Sequence, residues 1–255
     1  MIARCVSGRQ EVSATSLTAL GKGETWRLAL PHYHDNPMLI WLTRGEGRIM
    51  MGGRHSGLAP GMLAALPARA LIALTLSPRA HGCALSLSDP DSLQETCLFR
   101  PTGDADEAML TNLSNAFLQS DGDFLAEGAS RALAALRANE AATPTAADRL
   151  LGAFFGRVVA PSPARSSMAE HAAALGVTPT HLTRVCRTAL GRSAADVLTG
   201  RVLHASRTAL QDTDAAIKDI AEEIGFSSAA YFTRFIQKHT GQTPSVVRRK
   251  ARMAA

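Results

Sequence analysis

From about residue 24 to residue 99, apolar and polar positions alternate in short runs. Trp26, Leu28 and Leu30 are interleaved with Arg27 and Ala29, and Cys83, Leu85 and Leu87 with Ala84, Ser86 and Ser88. Apolar runs such as Met38 to Leu42 lie between turn signals at Gly45-Glu46-Gly47, Gly52-Gly53, Pro60-Gly61 and Pro67. A period of two with closely spaced turns predicts many short antiparallel strands, folded as a small barrel or sandwich. From about Asp104 to Val159 the period lengthens. Leu110, Leu113 and Phe117 form one stripe, Leu133 and Leu136 another, and Leu150, Leu151, Phe154, Phe155 and Val158 a third, which predicts amphipathic helices. The pattern then breaks at Ala160-Pro161-Ser162-Pro163-Ala164, where two prolines stop a helix and make a short, stiff link.

Beyond that link the chain repeats itself. Residues 172–178 (AAALGVT) align with 221–227 (AEEIGFS) at an offset of 49; after one inserted residue, 182–186 (LTRVC) align with 232–236 (FTRFI) at 50. Gly191-x-Ser193 and Gly241-x-Thr243 keep the offset of 50. Two copies are too few for a solenoid, so this is a duplicated supersecondary unit. Each copy predicts a helix, a tight turn and a second helix. In the first, Ser167-x-x-Glu170 has the form of a capping box, and Met168, Ala172 and Leu175 make the buried face. Gly176 supplies the left-handed turn, and Thr178 followed by Pro179 starts the next helix. That helix buries Leu182, Val185 and Cys186 and turns Thr180, Thr183, Arg184 and Arg187 outward, again at helical spacing. In the second copy Ile217, Ile220, Ala221 and Ile224 are buried, Gly225 turns, and Ser227 or Ser228 caps. Phe232, Phe235 and Ile236 point inward; Ala230, Thr233, Arg234 and Gln237 face out, with Lys238 beside them.

Between the copies a helix is expected from Ser193 to about Gln211, with its own box Ser193-x-x-Asp196. Its nineteen residues span roughly 28 Å at about 1.5 Å each, close to the pitch of duplex DNA, so both outward faces could enter successive major-groove windows. Charge supports the same partner. Residues 1–164 hold 14 Lys or Arg against 15 Asp or Glu, net −1, whereas residues 165–255 hold 13 against 7, net +6. The excess positive charge thus sits only in the repeated third, which points to a polyanion. No run approaches the 18 or so apolar residues of a membrane span, and residues 1–17 show no secretory signal. The four cysteines, Cys5, Cys83, Cys97 and Cys186, are far apart and suggest neither disulfides nor a zinc cluster. A bacterial-style cytoplasmic protein is expected.

The stretch Ile217-Lys218-Asp219-Ile220-Ala221, Gly225-Phe226-Ser227-Ser228, Tyr231-Phe232-Thr233-Arg234-Phe235 and Thr240-Gly241-x-Thr243-Pro244-Ser245 resembles the signature of the AraC/XylS transcription regulators. The resemblance covers residues 166–250, about a third of the chain. It implies operator binding by both units, with Arg184 and Thr183 at base edges and Thr233 and Arg234 on bases or phosphate. Thr208 and Ala209 stand where the family's connecting helix usually carries leucines, and Ala229 and Ala230 offer no hydrogen bonds. Arg201 and Tyr231 match the family and are read as scaffold.

His32-x-His34, followed by strands, resembles the cupin barrel that such regulators often carry as a sensor. Alternate strand residues share a face, so both histidines could point into a barrel. A metal needs further ligands; Pro37-Met38-Leu39-Ile40 stands where the family's Glu should be, and Ala68-Arg69-Ala70-Leu71 where its later His should be. The histidines are therefore read as a polar rim, with no metal and no cofactor. No nucleophile elbow, P-loop or dinucleotide fingerprint appears, and no catalytic residue is assigned. An effector pocket inside the barrel is expected instead, with His32, His34, Trp41 and Arg44 as candidate lining.

The fold class expected is α+β: a cupin-like β-barrel domain (1–100), a helical dimerisation segment (101–160) whose alternative is packing on the barrel, and an all-α domain (161–255) with two helix-turn-helix units joined by a linker helix. The function expected is a transcription regulator of operator or promoter DNA, modulated by a small-molecule effector, acting as a homodimer and, if an activator, with RNA polymerase. The alternatives are a metal-dependent cupin enzyme with an appended DNA-binding module, and non-specific architectural DNA binding.

Overall fold

The computed structural model describes residues 3–4, 12–100, 103–119, 122–138, 143–161, 164 and 166–254. Cys5 and, within the expected link, Ser162 and Pro163 lie outside the described residues. The contacts divide the chain into two compact units, Met1–Ala29 with Tyr33–Asp148, and Leu30–His32 with Arg149–Ala255.

The first unit holds strands β1 (Ala3–Arg4), β2 (Val12–Ser16), β3 (Met38–Arg44), β4 (Gly47–Met51), β5 (Arg54–Leu58), β6 (Leu63–Leu66), β7 (Ala73–Leu76), β8 (His81–Leu87) and β9 (Cys97–Phe99). They form two antiparallel sheets, ordered β1-β2-β8-β3-β6-β9 and β5-β4-β7. Between β2 and β3 lie short helices α1 (Leu17–Leu20) and α2 (Thr25–Ala29). Here the strand expected from the Trp26/Leu28/Leu30 alternation is corrected: the segment is a helical turn. Three positions two apart are too short a record to fix a period, and of the three only Leu28 is buried.

Strand parity sorts the core into two layers. Ile40, Leu42, Ala64 and Leu66 of the larger sheet meet Ile49, Leu58 and Leu74 of the smaller one, so side chains fill the space between the sheets. On the opposite face, Leu39, Trp41, Leu63, Ala65 and Leu85 pack under α3 (Asp104–Gln119) and α4 (Gly122–Ala138), against Leu110, Leu113, Leu125, Ala129 and Leu133. Burial on both faces explains why Met38 to Leu42 is an unbroken apolar run rather than an alternating one. Gly128 allows α3 and α4 to meet closely: a Cβ there would fall 2.6 Å from Leu113 Cδ2.

The segment expected to be one helical region is therefore split. Its first two helices cover the sheet, while α5 (Ala146–Val158) starts in the first unit and runs into the second. Its start is fastened by Asp148, which accepts from the Thr145 backbone amide (2.9 Å) and hydroxyl (2.7 Å) and from Arg54 Nε (2.7 Å) and Nη2. The Arg54 guanidinium, then Thr145, hold this carboxyl far below the ordinary aspartate range.

The second unit continues with α6 (Met168–Ala174), α7 (Pro179–Leu190), α8 (Ala194–Asp212), α9 (Ile217–Ile224), α10 (Ala229–Thr240) and α11 (Pro244–Ala254). Val202, Leu203 and Leu210 of α8, Ile220 and Ile224 of α9, Phe232 and Ile236 of α10 and Val247 of α11 form one core. Leu30 packs against it, and the Pro31 ring lies over Gly200, where a Cβ would stand 2.7 Å from Pro31 Cδ. Among the described residues, no helix is long and apolar enough to cross a membrane.

Candidate nucleic-acid interface

Local chemistry sets the start of each outward helix. Thr178 accepts from the His181 amide (3.1 Å) and Pro179 occupies the first turn of α7; Ser228 accepts from the Tyr231 amide (3.2 Å) to start α10. Both helices end on left-handed glycines, Gly191 at φ 68° and Gly241 at φ 70°. Before α7, α6 begins in the predicted box: Ser167 Oγ accepts from the Glu170 amide (3.2 Å), and Glu170 Oε2 accepts from the Ser167 amide (2.6 Å). The same box occurs at Ser193 and Asp196 of α8. The Ser167 amide and then its hydroxyl hold the Glu170 carboxyl below its ordinary range, and the Ser193 hydroxyl and then its amide do the same for Asp196.

On α7, Leu182, Cys186 and Leu190 are buried, and burial pushes the Cys186 thiol up to about 11, so it is a neutral packing group. Thr180, Arg184 and Arg187 are exposed, whereas Thr183 is half-buried. His181 was absent from the expected site, yet its Nδ1 accepts from Arg184 Nη2 at 3.0 Å and so braces that guanidinium. Its offset of three residues on the same face was the signal available in the sequence.

On α10, Ala230, Arg234, Gln237 and Lys238 are exposed. Thr233 is half-buried and its hydroxyl donates to the Ala229 carbonyl at 2.8 Å, so it bonds within its own helix rather than facing out. Tyr231, expected to be scaffold, is instead 60% exposed, with its ring 6.0 Å from that of Phe226. Arg201, 9% exposed on α8, does sit in the scaffold.

Of the four residues expected to line an effector pocket, Trp41 and Arg44 line one cavity of the first unit. His32 belongs to the second unit, 2% exposed, stacked on His204 at 4.9 Å with its Nδ1–H donating to the Leu30 carbonyl (2.8 Å). His34 is half-buried in the first unit; burial lowers its pKa, against the opposing charge of Asp35. Neither lies in a named strand, so the shared face inferred from strand alternation does not arise. Among the described residues, no group of three or more His, Cys, Asp and Glu is placed to hold a metal. Trp41 and Arg44 do share a cavity of about 990 Å³, but it lies between the outer face of the larger sheet and α3, not between the sheets.

Residues 171–250 match a family model described as a helix-turn-helix domain. Among curated proteins, the chain is 36% identical over 78 residues to the probable transcription factor PqrA of Proteus vulgaris, covering 31% of this chain and 64% of that protein. It is also 36% identical over 87 residues to the HTH-type transcriptional regulator GlxA of Rhizobium meliloti (strain 1021), covering 34% of this chain and 26% of the relative. The chain thus spans less than two thirds of the length of either. Among solved structures, the C-terminal domain of AraT, a response regulator from Geobacillus stearothermophilus, aligns with 43% of this chain and 88% of its own at 25% identity and a TM-score of 0.38. The matched region contains the duplicated helix pairs and their outward arginines, and over it the chain is similar to these transcription regulators.

Proposed function

We propose that the whole chain is a sequence-specific, DNA-binding transcription regulator, in which α6–α7 and α9–α10 are both helix-turn-helix units that place α7 and α10 in successive major-groove windows. One observation carries this: two helices repeated at an offset of 50 residues present Arg184 and Arg234 at matching exposed positions, on either side of the 19-residue helix α8. At about 1.5 Å per residue that rod is roughly 28 Å long, against about 34 Å for a turn of duplex. Arg184 is the better base reader, because its guanidinium is held by His181. Arg234, Gln237, Lys238 and Tyr231 offer phosphate and sugar contacts.

The β-sheet unit is read as a cupin-like sensor for a small effector, and the exposed side of α3 and α4 as the surface for a homodimer. A cytoplasmic regulator that meets RNA polymerase when it activates follows from the same assignment. The enzymatic alternative rested on His32 and His34 holding a metal, and among the described residues no third His, Cys, Asp or Glu is grouped with them. The test is a gel-shift titration of the purified chain on the DNA upstream of its own gene, with scrambled duplex as competitor. The proposal expects the native fragment to resist competition; equal competition by the scrambled duplex overturns sequence specificity and favours architectural binding.

A further inference from the structure

The cavity between the larger sheet and α3 has a division of chemistry that fits one class of ligand. Its floor is apolar. Trp41 is 1% exposed, Leu110 6% and Cys83 4%, and Phe117 is half-buried beside them. The polar atoms of the floor are already satisfied: Trp41 Nε1 donates to Ser114 Oγ at 2.9 Å, and the Ser114 hydroxyl donates to the Leu110 carbonyl at 2.9 Å. Nothing at the bottom therefore asks a ligand for a hydrogen bond, and an apolar body gains by displacing water there.

The mouth is different. Arg44 at the end of β3, His81 at the start of β8 and Arg100 after β9 line it together with one carboxylate, Glu107 of α3. Among the described residues neither Arg44 nor Arg100 makes an ion pair, and Arg100 Nη2 donates a weak hydrogen bond to Met62 Sδ at 3.6 Å. Among the described residues, two guanidinium groups against one carboxylate make the rim positive at neutral pH. A guanidinium presents fixed, paired donors that match a carboxylate or sulfonate. The volume, about 990 Å³, is at the upper end for a small-molecule site.

We infer that this cavity is the effector site of the sensor unit, and that it takes an organic anion with an apolar body, the anionic group at Arg44 and Arg100 and the body against Trp41. This rests on the sensor role proposed above and names the place and chemistry of its ligand. It also moves the site from the space between the sheets, which side chains fill, to the face covered by α3. A ligand there touches Leu110, Thr111, Ser114 and Leu118 of α3, so α3 is the element whose position it biases.

The experiment uses the full chain and two fluorescent probes with closely matched bodies, the anion 1-anilinonaphthalene-8-sulfonate and the uncharged N-phenyl-1-naphthylamine. Both are expected to bind with one-to-one stoichiometry and to quench tryptophan emission. The Arg44→Gln/Arg100→Gln variant is expected to weaken the sulfonate probe by about tenfold or more, the size of one lost charge-assisted hydrogen bond, and to leave the uncharged probe unchanged. Thr111→Trp, an exposed lining position, is expected to exclude both. The inference is overturned if the double variant binds the sulfonate as tightly as the parent, or if Thr111→Trp leaves both probes bound; circular dichroism confirms that each variant is folded. Operator binding without probe is measured on the same samples. A double variant that keeps the parent's sulfonate affinity, with operator binding intact, sinks only this inference, whereas absent operator binding with sulfonate uptake that depends on Arg44 and Arg100 sinks the regulator proposal.

Discussion

The two helix pairs of the second unit are copies in sequence but differ in what supports them. In the first, α6 is capped by Ser167 and Glu170, and buried His171 on it lies edge-on to Phe154 of α5, ring centroids 5.8 Å apart. In the second, α9 starts at Ala216 with no side-chain cap, and support comes from aromatic packing: Phe226 lies 5.2 Å from both Phe232 and Phe235. It is also tied from outside, since Arg248 of α11 donates from Nε to the Leu210 carbonyl (3.3 Å) and from Nη2 to the Ala215 carbonyl (2.5 Å), bracing the end of α8 and the lead into α9. Their outward faces differ as well. The first pairs an arginine with a histidine that holds it; the second offers Arg234 without such a bond among the described residues, and an exposed tyrosine at the matching place. The frame is common to both copies and the outward side chains differ, which is why the proposed function gives base edges to the first copy and the DNA backbone to the second.

The largest test of that contrast is in the packing. Phe232→Ala, fully buried, is expected to cost about 3–5 kcal/mol, and Leu182→Ala at the aligned position about 2–5 kcal/mol, measured by urea unfolding. A larger loss at Leu182 would reverse the view that the second copy depends more on its core. The outward faces come next. Arg184→Ala is expected to cost about 1–3 kcal/mol of operator binding and to relax preference at one base pair, while Arg234→Ala weakens all sequences alike and lowers the salt slope by about one. Measured on a panel of single-base variants, an equal loss across the panel for Arg184→Ala would place it on phosphate too.

His171 sharpens the comparison through pH. Among the described residues its buried ring nitrogens have no hydrogen-bond partner; burial first, then the charge of Arg157, lower its pKa from 6.5, against the pull of Glu170. The unfolded chain takes up this proton more readily than the folded one. Stability is therefore expected to fall as pH drops below about 6.5 and to level off once the folded-state pKa is passed. His171→Leu should remove that slope; an unchanged slope in unfolding curves would assign it elsewhere. The smallest effect is at the missing cap: Ala216→Ser is expected to stabilise by about 0.5–1 kcal/mol, seen as a rise in the urea midpoint.

The second unit was largely legible because its signals are local. Capping residues, Pro179, the turn glycines and apolar positions at helical spacing each act within a few residues, and α8 was placed to within a residue or two. What escaped depends on partners distant in sequence or on rotamers. His171 is buried because α5 covers it, the Thr233 hydroxyl turns to its own helix, and Tyr231 stays exposed although its sequence context resembles scaffold. In the first unit the strands from Met38 onward were legible and the place of the cavity was not. His32 and His34 invited a shared strand face, but Pro31 seats on Gly200 and carries His32 onto α8. The cavity lies on the other side of β3, where only long-range packing of α3 creates it.

The central claim is that α7 and α10 occupy adjacent turns of one face of a duplex, and guanine-N7 methylation protection on the operator tests it most directly. The account predicts two protected windows about ten base pairs apart for the parent, with the window under α7 lost in Arg184→Ala and the other retained. A single window, or protection that both arginine variants erase together, would contradict it.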